Sequence, residues 1–195
     1  MSSITPRWEW RTFGSDFGDI EARLRASSSG RRDSSEIYVV SDDPSINTKI
    51  REQTLDLKVL QQIDSHGLEL WLPVLKASFP LQPESLRTAF AAWQLTPPRL
   101  DGHAWTVPAF LTDVVGRQRS LTSIGVTKAR FGSVIDGCLV EIADLTFDGT
   151  PIRTIAVEMA DPEAVWHTVH ALGLSAFDNV NYVKALQRFL TVHTR

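Results

Sequence analysis

The 195-residue chain predicts an α+β fold built on a mainly antiparallel sheet, and three observations carry that prediction. Segments that alternate apolar and polar residues, as a strand with one buried face does, gather towards both ends of the chain. Apolar residues at helical spacing are confined to the middle and the C-terminus. Between the last two strand candidates stands Asp148-Gly149, a pair suited to the two-residue hairpin that joins antiparallel neighbours.

The first strand covers 8–13 (WEWRTF) and stops at Gly14. Residues 19–26 (DIEARLRA) supply two turns of helix, and the Ser/Gly/Arg run 27–35 reads as a mobile loop. In 36–41 (EIYVVS) β-branched and aromatic residues make a strand. Asp42-Asp43-Pro44-Ser45 then turns the chain, because Asp side chains bond the local backbone and proline pre-sets its own φ. Strands over 47–53 and 55–61 follow. Leu86, Phe90 and Trp93 recur at helical spacing within 83–95, and Pro97-Pro98 closes that helix. A short helix over 108–115 ends at Gly116, after which strands are expected over 124–131, 139–147 and 152–159. Asp161-Pro162-Glu163 opens a helix with a side-chain cap, a proline in the first turn and a carboxylate near the positive end of the dipole. It stops at Gly173, and a last amphipathic helix over 179–190 carries Tyr182, Leu186 and Phe189 on one side. The chain reads as one domain, 1–195, with a helical insertion at about 67–116.

Composition excludes several classes. With 43% hydrophobic and 22% charged residues, 20 Lys+Arg against 23 Asp+Glu, the chain is neither a disordered tail nor a histone-like basic protein. A lone cysteine, Cys138, closes no internal disulfide and builds no thiolate zinc cage. No apolar run approaches the roughly 20 residues that span a bilayer, and MSSITPRWEW lacks a secretory signal, so a soluble, cytoplasmic protein with no membrane partner is expected.

The net charge of −3 hides a strong local imbalance. Residues 114–135 carry Arg117, Arg119, Lys128 and Arg130 and no acid, whereas in 136–165 seven acids face Arg153 alone. Because side chains alternate across a strand, Lys49 and Arg51 project to one face, as do Lys128 and Arg130, and Lys58 adds a fifth cation. One such pair is ordinary on a solvated sheet face. Two pairs and a further lysine suit a polyanion, since Arg grips phosphate oxygens bidentately and Lys acts as a point charge. A triphosphate is normally handled with Mg²⁺ or Mn²⁺ on oxygen ligands, which makes carboxylates the second requirement. Glu9 shares a strand face with Arg7 and Arg11, and Asp144 and Glu158 lie on the two strands after the basic one.

In order, WEWR, EIYVV, NTKIRE, LDLK, VTKAR, VEIADL, FDG, AVEMADPEAV and NVNYVKAL resemble the CYTH domain, or triphosphate tunnel metalloenzymes, over most of the chain outside 64–121. The resemblance implies a closed antiparallel eight-stranded β-barrel with flanking helices, whose charged tunnel takes a triphosphate-type small molecule and a divalent metal. Members hydrolyse inorganic triphosphate, thiamine triphosphate or nucleotides, and one branch cyclises ATP. Carried over, it implies Arg11, Lys49, Arg51, Lys58, Lys128 and Arg130 as phosphate-binding residues and Glu9 and Lys58 as catalytic ones. Glu9, Asp144 and Glu158 are the implied ligands of Mg²⁺ or Mn²⁺, the metal polarising the phosphoryl group and activating a water. Glu141 projects to the face opposite Asp144.

Three departures bear on the chemistry. In Arg7-Trp8-Glu9-Trp10-Arg11 the family's first glutamate is Arg7 and its final lysine is Arg11, and the first acid of the later pair is Ala156. Losing two anionic ligands makes the local field less favourable to Mg²⁺ and more favourable to bare phosphate. Two expectations follow: a metal-dependent triphosphatase, or a non-catalytic phosphate, polyphosphate or interaction module with a degenerate metal site. No nucleic-acid partner is expected, since Trp8, Trp10, Trp93 and Trp166 sit in apolar patterns that suit packing rather than base stacking. His167 and His170 are three apart on a helix, but no third ligand recurs at a suitable spacing.

Overall fold

The computed structural model describes residues 6–100 and 104–193. Eight antiparallel strands close into a barrel in the order β1-β5-β4-β3-β2-β6-β7-β8. In chain order they are β1 (Arg7–Gly14), β2 (Arg31–Ser41), β3 (Ile46–Arg51), β4 (Thr54–Ile63), β5 (Glu69–Ser78), β6 (Leu121–Ile135), β7 (Cys138–Phe147) and β8 (Thr150–Met159). β7 and β8 meet at Asp148-Gly149, both at positive φ (44° and 88°), the backbone that a two-residue hairpin of matching twist requires. The closed antiparallel barrel with flanking helices is therefore the observed fold.

Two segments differ from the sequence expectation. Residues 69–78, placed in the helical insertion, form β5, and without that strand the barrel has no closure. Pro73 obscures it: the proline stands opposite Lys58 at a register shift, where Val74 is the extra residue, and a bulge is where a strand tolerates proline. Residues 31–35 are strand rather than loop, because Arg31–Ser35 pair with Thr127–Phe131 of the long β6 and tertiary pairing overrides their low β-propensity.

Alternation sorts each strand into an outer and an inner face. Helix α2 (Pro83–Ala92), the three-residue turn α3 (Val107–Ala109) and the helical turns that continue to Arg117 cover one outer side. There Leu86, Phe90, Trp93 and Phe110 pack on Ile50, Leu55 and Leu57. On the other outer side α1 (Asp19–Ala26) and α4 (Pro162–Ala171) pack Leu24, Val165 and Val169 on Trp10, Ile142 and Val157. The Asp161 side chain accepts from the Glu163 N–H at 3.0 Å, as its position before Pro162 predicts.

The barrel interior divides along its axis. Phe13, Val40, Ile124 and Phe147 fill one end, and Val183 and Leu186 of α5 (Tyr182–His193) pack into them as a stopper. Gln187 Nε2 latches the helix by donating to the carbonyls of Ser41 and Asp42 (2.8 and 3.1 Å). Helix α5 starts later than the expected 179 because residues 179–181 occupy a seam in the wall. Pairing of β1 with β5 ends at Glu9↔Glu69, although β1 continues along β8 to Gly14. Past Glu9 the Arg11 N–H donates to Asn179 Oδ1 (2.8 Å) and its carbonyl accepts from the Val180 N–H (2.6 Å). Asn181 Nδ2 donates to the buried Glu69 carboxylate at 3.0 Å. These bonds satisfy backbone groups that an open seam would leave unpaired.

Candidate functional site

Above the stopper the inward-facing residues change from apolar to charged and enclose a cavity of about 600 Å³. Even spacing on β3 sends Asn47, Lys49 and Arg51 inward; β4 adds Asp56 and Lys58, and β6 adds Lys128 and Arg130. β1 contributes Glu9 and Arg11, β7 Glu141, and β8 Ala156 and Glu158. The structure thus brings all six of the expected phosphate-binding side chains to one cavity, together with Glu9 and Glu158. Arg32 of β2, opposite Arg130, is a further lining cation that lay in the expected loop.

Asp144 is the exception. It has the opposite parity to Glu141 and points out of the barrel, where Arg25 Nη2 (2.6 Å) and Arg153 Nε (3.3 Å) hold it. Partial burial disfavours its charge, but the two guanidiniums outweigh that and keep its carboxyl below the ordinary value. Its outward direction removes it from the expected metal set. Glu141 occupies the inner face instead.

Sequence reasoning missed Glu36. Its carboxylate has no solvent exposure and lies under three of the cations, with Lys128 Nζ at 2.8 Å, Lys49 Nζ at 3.6 Å and Arg51 Nη1 at 3.8 Å. Burial would raise its pKa, yet Lys128, Lys49 and Arg51 together pull it down to about 2. Burial lowers both Lys128 and Lys49 to about 8, against the pull of Glu36. Lys128 Nζ also donates to the Tyr38 hydroxyl at 2.9 Å. The available signal was parity: Glu36 and Tyr38 share one face of a strand otherwise read as apolar.

The opposite wall carries the acids. Glu9 stands directly across from Glu158 in the β1–β8 register, and Arg11 across from Ala156. Glu9 accepts from Arg11 Nε at 2.7 Å, and Glu158 from Arg7 Nη1 at 3.3 Å. Burial opposes ionisation of Glu9, but Arg11 and Lys58 hold its carboxyl below the usual range. Glu9 and Glu158 are thereby each engaged by a guanidinium, and among the described residues no group of three His, Cys, Asp or Glu side chains is placed to hold a metal ion. This donor set does not hold a divalent cation by protein groups alone; Mg²⁺ bound through one or two carboxylates needs waters and substrate phosphates to complete its six oxygens.

Among the described residues seven cations and four acids line the cavity, and with Glu36 beneath them the positive excess persists. Neither Lys58 nor Arg130 makes an ion pair among the described residues, and Arg130 Nε is buried without a hydrogen-bond partner. Low-dielectric walls around unneutralised cations focus the field on an anion within them. An elongated anion with many oxygens satisfies several such donors at once.

No protein-family model matches the sequence, and no curated protein matches it. Solved structures do. A candidate adenylate cyclase from Bacillus halodurans is 15% identical with a TM-score of 0.52, the match covering 95% of this chain and 99% of that one. A candidate adenylyl cyclase from Hippeastrum, described as having a dominant triphosphatase activity, is 10% identical with a TM-score of 0.48 over 90% and 92% of the two chains. The PH1819 protein of Pyrococcus horikoshii is 15% identical with a TM-score of 0.48 over 92% and 98%. The similarity to the Bacillus protein runs through nearly the whole of both chains, and it establishes that the two share a fold.

Proposed function

We propose that the protein binds a triphosphate-bearing or polyphosphate small molecule inside the barrel, as a member of the triphosphate tunnel family. The observation that carries this reading is the convergence of Arg11, Lys49, Arg51, Lys58, Lys128 and Arg130 on one cavity of about 600 Å³. The resemblance and the shared barrel fold support it. Arg7 and Arg11 pair with Glu158 and Glu9, two of the four acids lining the cavity, and the excess of cations over acids is what neutralises the phosphates. Tripolyphosphate is expected to raise the melting temperature of the protein in EDTA, and Lys128→Ala with Arg130→Ala to abolish the shift. A shift that requires Mg²⁺ refutes metal-free binding.

The Glu9–Glu158 pair favours a second reading, hydrolysis of the bound phosphoanhydride. Two carboxylates fall short of a divalent-ion site, so a metal-dependent triphosphatase needs the ligand's phosphate oxygens to complete the coordination of Mg²⁺ or Mn²⁺. Phosphate release from tripolyphosphate, thiamine triphosphate and ATP, with each metal and with EDTA, tests it. No turnover in any combination removes hydrolysis and leaves binding.

A further inference from the structure

We infer that Tyr182, carried by the C-terminal segment and not by a barrel strand, is a ligand-contacting residue whose hydroxyl donates to the innermost phosphoryl oxygen of the bound oligophosphate. This rests on the oligophosphate-binding reading above.

The seam places the residue. Asn179–Asn181 thread between β1 and β5, and the next side chain, Tyr182, enters the barrel where the apolar stopper meets the charged cavity. Its ring stacks on Tyr38 (centroids 5.1 Å apart, 18° between planes) and meets Phe13 edge-on at 5.1 Å. Arg11 and Lys128 lie over the same ring, at 4.6 and 4.1 Å from its centroid. A π-face holds these two cations without supplying a formal negative charge, so their charge remains available to an anion.

The hydroxyl is the informative atom. It is buried and has no hydrogen-bond partner among the described residues, although buried phenols ordinarily find one. Burial raises its pKa, with Glu141, Glu36 and Glu9 adding to that against Arg11, so the group stays protonated and acts as a donor. A neutral donor flanked by two cations matches an acceptor that is anionic and carries no proton, as a phosphoryl oxygen is. Since α5 closes the barrel behind Tyr182, the ligand enters from the opposite mouth with its terminal phosphoryl group first.

Calorimetric titration of tripolyphosphate into the wild type, Tyr182→Phe and the Lys128→Ala/Arg130→Ala double variant, combined with melting of each unliganded protein, tests the inference. Tyr182→Phe keeps the ring, its stacking and both cation contacts, so its unliganded melting temperature is expected to equal or exceed that of the wild type. Its affinity is expected to fall about tenfold, the loss of one hydrogen bond to a charged oxygen. Wild-type affinity in Tyr182→Phe overturns the inference while the binding reading stands. A lower melting temperature of unliganded Tyr182→Phe also overturns it, because the hydroxyl then has a structural partner. If the wild type itself fails to bind tripolyphosphate, the binding reading falls and the inference with it.

Discussion

Lys128 Nζ lies 2.8 Å from a Glu36 carboxylate that has no solvent exposure. Lys49 and Arg51 approach the same carboxylate from the neighbouring strand, so one buried anion anchors three of the cavity's cations. Without it those cations would repel one another in a medium of low dielectric. Glu36 is a positioning residue: it stands under the cationic wall and fixes where the positive charge is presented.

Glu36→Gln leaves Lys128, Lys49 and Arg51 facing one another with no counter-ion. The variant is expected to lose about 3 kcal/mol of stability in urea denaturation, the scale of breaking a buried pair from one side. A loss below about 1 kcal/mol would show that the cations relax into solvent instead.

The two buried lysines give stability and binding opposite pH dependences. Lys49 and Lys128 titrate at about 8 in the folded protein against 10.5 ordinarily, so in that interval the unfolded chain holds more protons. Stability of the unliganded protein therefore rises from about pH 8 to about pH 10.5. Tripolyphosphate affinity falls over the same interval, because the folded protein loses the cations that grip the ligand. Denaturation midpoints and calorimetric affinities across the interval check both signs, and affinity that is flat or rising with pH contradicts the assignment of these lysines to the site.

Asp144 lies outside the barrel, held by Arg25 and Arg153 at partly exposed positions. Asp144→Asn is expected to cost about 1 kcal/mol or less and to leave tripolyphosphate affinity unchanged. A large loss of binding would return Asp144 to the site.

Leu186 is fully buried in the α5 stopper. Leu186→Ala is expected to cost about 2–5 kcal/mol by transfer and cavity terms together. Thermal or urea unfolding measures it, and a cost under about 1 kcal/mol would mean that the helix does not plug the barrel.

The cations of the site were legible because period-2 alternation is a local property: Lys49 with Arg51 and Lys128 with Arg130 face one way whatever surrounds them. Helix α4 was legible for the same kind of reason, its Asp161-Pro162 start being local chemistry. Strand β5 was not, since Pro73 argues against a strand until the bulge at Val74 is seen. Glu36 was hidden because a single acid in EIYVV acquires its meaning only when Lys128, distant in sequence but on the directly paired strand β6, closes over it. Asp144 matches the family motif, but strand parity sets it on the face opposite Glu141 and so outside the barrel. Tyr182 appeared as part of an apolar helix face, and nothing local announces that residues 179–181 enter a seam.

The most direct test of the cationic cavity is calorimetric titration of tripolyphosphate into metal-stripped protein in EDTA, repeated at increasing salt. One-site binding that weakens with salt and disappears in Lys128→Ala/Arg130→Ala is the expected result. No binding by the wild type, or undiminished binding by the double variant, contradicts an oligophosphate site in the barrel.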